Sequence, residues 1–281
     1  MYEDFYGFHG EPFRLSPDAR LCFPHASYKK ARAYMQYALR RGEGFVMVTG
    51  RPGTGKTTLV NDITAECEAD GGLLAALTST QIQADDLLRL VVLKFGQPAD
   101  TAHKSVLLHQ LENFLQRLHR EGRRPLLIID EAQALPKDAL EELRLMTNLQ
   151  QDGQPLIQIF LIGQQELRGI VQRPELEQLH QRIVAACHLV PLDVEGTRRY
   201  IEHRLTYFGW QGNPSLGDSV YRTIQHRSLG IPRVINQICS RLLLHGAVED
   251  KHALDETDIA EVIADLDAEQ LLPQPEPMQT A

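Results

Sequence analysis

The sequence predicts an α/β protein: a parallel sheet with helices on both faces, followed by an all-helical segment. Three observations carry this. Short apolar runs alternate with helical patterns up to about Asp193, the arrangement a covered parallel sheet requires. From Val194 onward the strand signal vanishes and only helical patterns remain. Two of the apolar runs end abruptly in residues suited to phosphate and cation chemistry, which in open α/β sheets collects at the carboxyl ends of the strands.

More than half of the aromatic residues lie in the first 45 positions, and proline and glycine punctuate the segment up to Pro24. This stretch reads as an ordered but irregular arm. A helix is expected over residues 27–41, stopped by Gly42 and Gly44. Strands follow at 45–49, 72–78, 125–130, 156–163 and 185–189, each short, apolar and bounded by turn residues or charge. Between them, helices are expected at 58–66, 85–95 and 104–120. The second segment holds helical patterns at 194–208, 219–226, 231–247 and 255–266. The expected division is therefore an α/β domain over 1–193 that includes the arm, a helical domain over 194–267 and a disordered, proline-rich tail over 268–281.

The run Gly50-Arg51-Pro52-Gly53-Thr54-Gly55-Lys56-Thr57 fits the phosphate-binding pattern G-x-x-x-x-G-K-[ST], with a strand before it and a helix after it. Glycines let the backbone curl so that N–H groups point inward at phosphate oxygens, and the helix N-terminus adds partial positive charge. Lys56 is expected to reach the β- and γ-phosphates and Thr57 to ligate Mg²⁺. The nucleotide-binding set is then Gly50, Pro52, Gly53, Thr54, Gly55, Lys56, Thr57 and Thr58, with ATP as the cofactor.

Leu126-Leu127-Ile128-Ile129-Asp130-Glu131 is an apolar strand ending in two acids. Asp130 is expected in the Mg²⁺ shell and Glu131 beside the attacking water. The strand at 156–163 ends in Gln164, which either senses the γ-phosphate and orients water or is a plain strand-end amide. Arginine suits a γ-phosphate because its planar fork bonds two oxygens at once. Arg182 and Arg233 have that chemistry, but so do Arg173 and Arg227, and the residues alone do not choose among them.

Bulk properties narrow the partners. A net charge of −8 and the lack of any long Lys/Arg run disfavour nucleic acid. The four cysteines, Cys22, Cys67, Cys187 and Cys239, show no metal or disulfide spacing. No apolar run is long enough to span a bilayer, and the acidic start Met1-Tyr2-Glu3-Asp4 is unlike a secretory signal, so a cytoplasmic protein, peripheral to the inner membrane at most, is expected.

Taken together, these residues resemble an AAA+ ATPase of the general-secretion-pathway protein A type, within that group the ATPase of exosortase-linked exopolysaccharide loci. The resemblance rests on the arm Met1-Tyr2-Glu3-Asp4-Phe5-Tyr6-Gly7-Phe8 with Pro12-Phe13 and Pro17-Asp18, on the phosphate loop, and on Asp130-Glu131-Ala132-Gln133. It continues through Gly163-Gln164-Gln165-Glu166-Leu167, Gln181-Arg182-Ile183, Pro191-Leu192-Asp193 and Gly230-Ile231-Pro232-Arg233. The resemblance implies a P-loop sheet of strand order 5-1-4-3-2 with a C-terminal all-α lid, and ATP held between them. It implies an arm that contributes to the adenine pocket, Arg182 as a finger acting on a neighbouring subunit in a homo-oligomer, and Arg233 as the lid's sensor arginine. The function it implies is Mg²⁺-dependent ATP hydrolysis in a membrane-associated export or polysaccharide-assembly system. A DNA-transposition regulator built on a similar core is the alternative. A non-hydrolysing scaffold is disfavoured by the presence of Lys56, Thr57, Asp130 and Glu131.

Overall fold

A computed structural model describes residues 1–16, 19–78, 82–100 and 103–273. Pro17 and Asp18, and the tail from Gln274 on, lie outside the described residues. The chain divides into two compact units. One holds Ala26–Arg51 and Lys56–Leu189; the other holds Met1–His25, Pro52–Gly55 and the chain from Val190 onward.

The first unit is built on five parallel strands: β1 (Phe45–Gly50), β2 (Leu73–Thr78), β3 (Pro125–Asp130), β4 (Gln158–Gly163) and β5 (Ile183–Leu189). Their order in the sheet is β2-β3-β4-β1-β5, the expected 5-1-4-3-2 read from the other edge. β1 and β4 are buried along their whole length, and β3 is buried up to Asp130, as central strands covered on both faces must be. Residues alternate between the faces. Phe45, Met47, Leu127, Ile129, Ile159 and Leu161 join one core with α4 (Ala84–Lys94), α5 (Lys104–Arg120) and α6 (Lys137–Met146). Gln158 points to the opposite face, where its amide donates to Ala38 O at 2.8 Å. That carbonyl belongs to α2 (Ala26–Arg41), which together with α3 (Lys56–Ala69) covers this side. A buried amide at the first residue of a strand is tolerated because it is hydrogen-bonded.

Several features of this unit escape the sequence reading, among them the short helix α7 (Glu166–Val171), which α8 (Glu177–His180) follows. Helix α6 was not expected, although its alternation of Ala139, Leu140, Leu143 and Met146 is amphipathic and all four are buried. The apolar run at 156–163 begins its strand only at Gln158; Leu156 and Ile157 are core residues of the preceding turn.

The second unit is a helical lid of α9 (Val194–Tyr207), α10 (Asp218–Ser228), α11 (Pro232–Val248) and α12 (Glu256–Ala268). Asp193 caps α9 by accepting from Gly196 N at 2.6 Å, and Asp255 with Asp258 forms a capping box on α12. The lid is not wholly helical: Ser215–Leu216 pairs in parallel with Ala253–Leu254.

The arm departs from expectation. It groups with the lid, not with the α/β unit, and its start is a helical turn, α1 (Tyr2–Tyr6). Tyr2, Tyr6, Phe8 and Phe13 are buried in the lid core beside Tyr200, Ile201, Ile235 and Leu242. Arg204 Nε donates to Pro12 O at 2.6 Å and Tyr6 OH to Lys251 O at 3.0 Å. An aromatic arm needs a core to bury it, and four amphipathic helices supply one. The segment expected as tail is ordered at its start: α12 runs to Ala268 and Leu272 is buried.

Gly230 joins α10 to α11 at φ 68°, with its carbonyl accepting from Leu192 N at 2.8 Å. A Cβ there would lie 1.9 Å from Leu192 O, so the backbone would have to move. Gly230→Ala is therefore expected to destabilise the lid by about 2 kcal/mol or more. Thermal and urea denaturation of the intact chain would check this, and a midpoint unchanged from wild type would contradict it.

Candidate nucleotide site

Because all five strands run the same way, their carboxyl ends share one edge of the sheet. β1 ends in the loop 50–57, β3 in Asp130, β4 just before Gln164 and β5 at Leu189, immediately after His188. The sheet thus gathers Lys56, Thr57, Asp130, Glu131 and Gln164 in one unit, as the sequence predicts.

Lys56, the first residue of α3, is buried. Its Nζ donates to Gly50 O at 2.9 Å and Arg51 O at 3.1 Å, bracing the loop across its own base. Burial holds the ammonium below its ordinary pKa, while Glu131, Asp130 and Glu166 act in the opposite sense. A buried cation held only by neutral carbonyls can trade them for charged oxygens, which accept more strongly. Gly55 lies at φ 95°, the backbone excursion that the phosphate pattern needs a glycine to make. The loop tip groups with the lid, where Arg233 N donates to Gly53 O at 3.2 Å. The Arg233 side chain is exposed.

Thr57 is exposed and Asp130 half-buried. Asp130 Oδ1 accepts from Glu131 N at 2.9 Å, which leaves its second oxygen for another partner. A hydroxyl and one carboxylate oxygen are hard donors of the type and number that Mg²⁺ takes from protein when a phosphate supplies the rest. The residues present fit that ion. Among the described residues, no group of three or more His, Cys, Asp or Glu gathers into a self-contained metal cage.

Glu131 occupies the left-handed region at φ 52°, ψ 38°, a costly conformation for a residue with a Cβ. Its Oε2 accepts from Gln133 Nε2 at 2.6 Å and, more weakly, from Gln164 Nε2 at 3.4 Å. Gln164 N in turn donates to Gln133 Oε1 at 2.9 Å. Gln133 was quoted in the sequence only as part of a motif. The signal that could have found it is its spacing: two residues past Glu131, across one tight 3₁₀ turn (Ala132–Ala134), an amide can fold back on the carboxylate.

His188 was also missed. Its Nδ1 lies 3.0 Å from Thr49 Oγ1, just ahead of the phosphate loop. Burial first, then Arg168 and Lys56, hold its pKa below the ordinary histidine value.

Arg182 does not join this edge. Its carbonyl accepts from Phe45 N at 2.9 Å, which places it at the amino ends of β1 and β5. There its guanidinium donates to Thr147 Oγ1 and Asn148 Oδ1, both at 2.5 Å, just past α6. A six-residue strand separates it from its own phosphate loop, on the order of 17 Å and beyond a side chain's reach.

Comparison with known proteins bears on the fold. Residues 39–171 match the AAA domain family model. The ORC2 protein of Aeropyrum pernix superimposes with a TM-score of 0.63 at 20% identity, covering 84% of this chain and 67% of that one. The fold is that of the AAA+ ATPases. Cdc6p from Pyrobaculum aerophilum shares this AAA+ fold at TM-score 0.65 and 13% identity, over 94% of this chain and 70% of that one. The Thermotoga maritima RuvB Holliday junction branch migration motor does so at 0.56 and 20%, over 85% and 68%. A curated relative, General secretion pathway protein A of Aeromonas hydrophila, is 35% identical over 265 residues, 92% of this chain. The chain spans about half the length of that relative, 47%. No helix among the described residues is long and apolar enough to cross a membrane.

The depressed His188 pKa fixes a sign. Above the ordinary histidine value near 6.5 the imidazole is neutral in both folded and unfolded chains and contributes no pH dependence. As pH falls through 6.5, the unfolded chain takes up the proton first, so stability declines until the folded value is passed. His188→Gln is expected to flatten this decline as pH falls below 6.5. Urea midpoints of both proteins across that range would check it; parallel curves would contradict it.

Proposed function

We propose that the chain is a Mg²⁺-dependent ATPase that drives or switches a secretion-type envelope system, in export or exopolysaccharide assembly. The observation that carries the hydrolytic reading is the presence in one unit of buried Lys56 at the phosphate loop and of Glu131, a carboxylate held in a strained backbone by neighbouring amides. A binding-only switch has no use for a second, oriented acid. Lys56 would neutralise phosphate charge in the ground state. Thr57 and Asp130 would hold Mg²⁺, which supplies charge neutralisation at the phosphates. Glu131 would align the attacking water and draw its proton, and Gln164 would lie beside the γ-phosphate.

The envelope role is supported by the relative named General secretion pathway protein A. The exosortase link rests on the motif resemblance alone. Work at the cytoplasmic face of the inner membrane, through a membrane-associated partner, follows from the same reading. Arg182 is proposed to act across a subunit boundary, because its own nucleotide site lies a strand length away. Arg233, at the start of α11, is proposed to meet the nucleotide from the lid.

Lys56→Ala is expected to abolish ATP binding, whereas Glu131→Gln should bind normally and lose turnover by about 10²-fold or more. ATP affinity and steady-state phosphate release separate the two, with duplex DNA added as a further arm. Full turnover by Glu131→Gln would remove the assignment of the acids, and salt-sensitive stimulation by DNA would favour the DNA-regulator alternative.

Arg182→Ala should bind ATP near-normally yet hydrolyse about 10³-fold more slowly. Mixed with wild type, it should depress activity beyond simple dilution. Purely additive mixing, with a specific activity independent of protein concentration, would point to a monomeric enzyme.

A further inference from the structure

We propose that Gln133 is a positioning residue that couples the Glu131 carboxylate to the Gln164 loop, so that the two move as one body. The proposal rests on the ATPase reading and deepens it. A single side-chain amide makes both contacts: Nε2 donates to Glu131 Oε2 at 2.6 Å, and Oε1 accepts from Gln164 N at 2.9 Å. Its orientation is unambiguous, because only this one gives the carboxylate a donor and the backbone N–H an acceptor.

Two consequences follow. Glu131 Oε2 already has two amide donors, from Gln133 and Gln164, so Oε1 is the oxygen that takes a proton from water. Any shift of Gln164 toward a phosphate pulls on Gln133 through a backbone N–H, not through a flexible side-chain tip, and so reaches the carboxylate. The chain is built around this strap. A Cβ on Gly163 would lie 2.6 Å from Gln133 Oε1, and only 2.9 Å from Leu167 Cδ2. Glycine at the end of β4 is what lets the amide reach the Gln164 backbone.

The test is a kinetic cycle on the intact chain with Mg-ATP. Gln133→Glu keeps the length and an acceptor oxygen but replaces the donor by a second carboxylate. Gln133→Ala removes both contacts. Each is expected to lower kcat about tenfold or more, with ATP Kd within about twofold of wild type. Gly163→Ala is expected to lose kcat similarly by displacing the amide, and to cost nothing further in the Gln133→Ala background. A residue that only supports the fold would lower the melting temperature without this non-additivity. Full kcat in both Gln133 variants, or multiplicative losses in the double variant, would overturn the proposal while leaving the ATPase reading intact. A wild type without turnover would overturn the ATPase reading and the proposal with it. Gln133→Glu serves as the folded alternative should Gly163→Ala fail to fold.

Discussion

The phosphate loop, the two acids and Gln164 depend on one constraint: five strands run parallel, so their carboxyl ends meet at one edge. β1 lies between β4 and β5, with β3 beyond β4. The phosphate loop therefore emerges from an interior strand, one in from the edge strand β5, with Gln164 on one flank, His188 on the other and the two acids one strand beyond Gln164. No loop has to travel far to bring these groups together. Burial of the central strands on both faces holds their ends in register, and polar groups on rigid strand ends are held more closely than groups on free loops.

The edge concentrates strain as well as chemistry. Glu131 sits in the left-handed region, a conformation that costs on the order of 1–3 kcal/mol and persists only where surroundings over-determine it. Those surroundings are visible: Asp130 holds its N–H, Gln133 and Gln164 hold its carboxylate, and the 3₁₀ turn that begins at Ala132 takes the chain away. Lys56 is under a comparable constraint. It is buried and partly deprived of solvent, yet braced by two carbonyls of its own loop. Both groups are thus oriented by the protein's own atoms, the kind of preorganisation that lowers the ordering cost of binding.

Much of this was legible in the sequence, and what was not has physical reasons. The five sheet strands could be read because central parallel strands are continuous apolar runs with sharp ends, and the site residues sit at those ends. The lid helices could be read because their apolar spacing is helical and Asp193 and Asp255 are strong caps. Gln133 and His188 were not singled out, since neither an amide in a turn nor a lone histidine carries a signal until tertiary structure supplies its partner. The arm was assigned to the wrong unit for a related reason. Aromatic content shows that Tyr2, Tyr6, Phe8 and Phe13 need a core, but not which core, and the partner residues at 200–242 are nearly a whole chain length away.

Arg182 gives the opposite lesson about ends. The parallel sheet that gathers the phosphate loop and acids at one edge necessarily places the start of β5, and with it Arg182, at the other. A cation tethered there cannot serve the site its own strands create. It is nonetheless held just past α6, where its guanidinium donates to buried Thr147 and exposed Asn148. Ordering a long arginine side chain costs conformational entropy, which these hydrogen bonds offset. Under the proposed assembly, head-to-tail packing would bring the amino edge of one subunit to the carboxyl edge of the next, and an arginine fixed at the amino edge is then where such an arrangement needs it. Hydrolysis would become a property of the boundary between subunits, with each sheet supplying the acids at one end and the cation at the other.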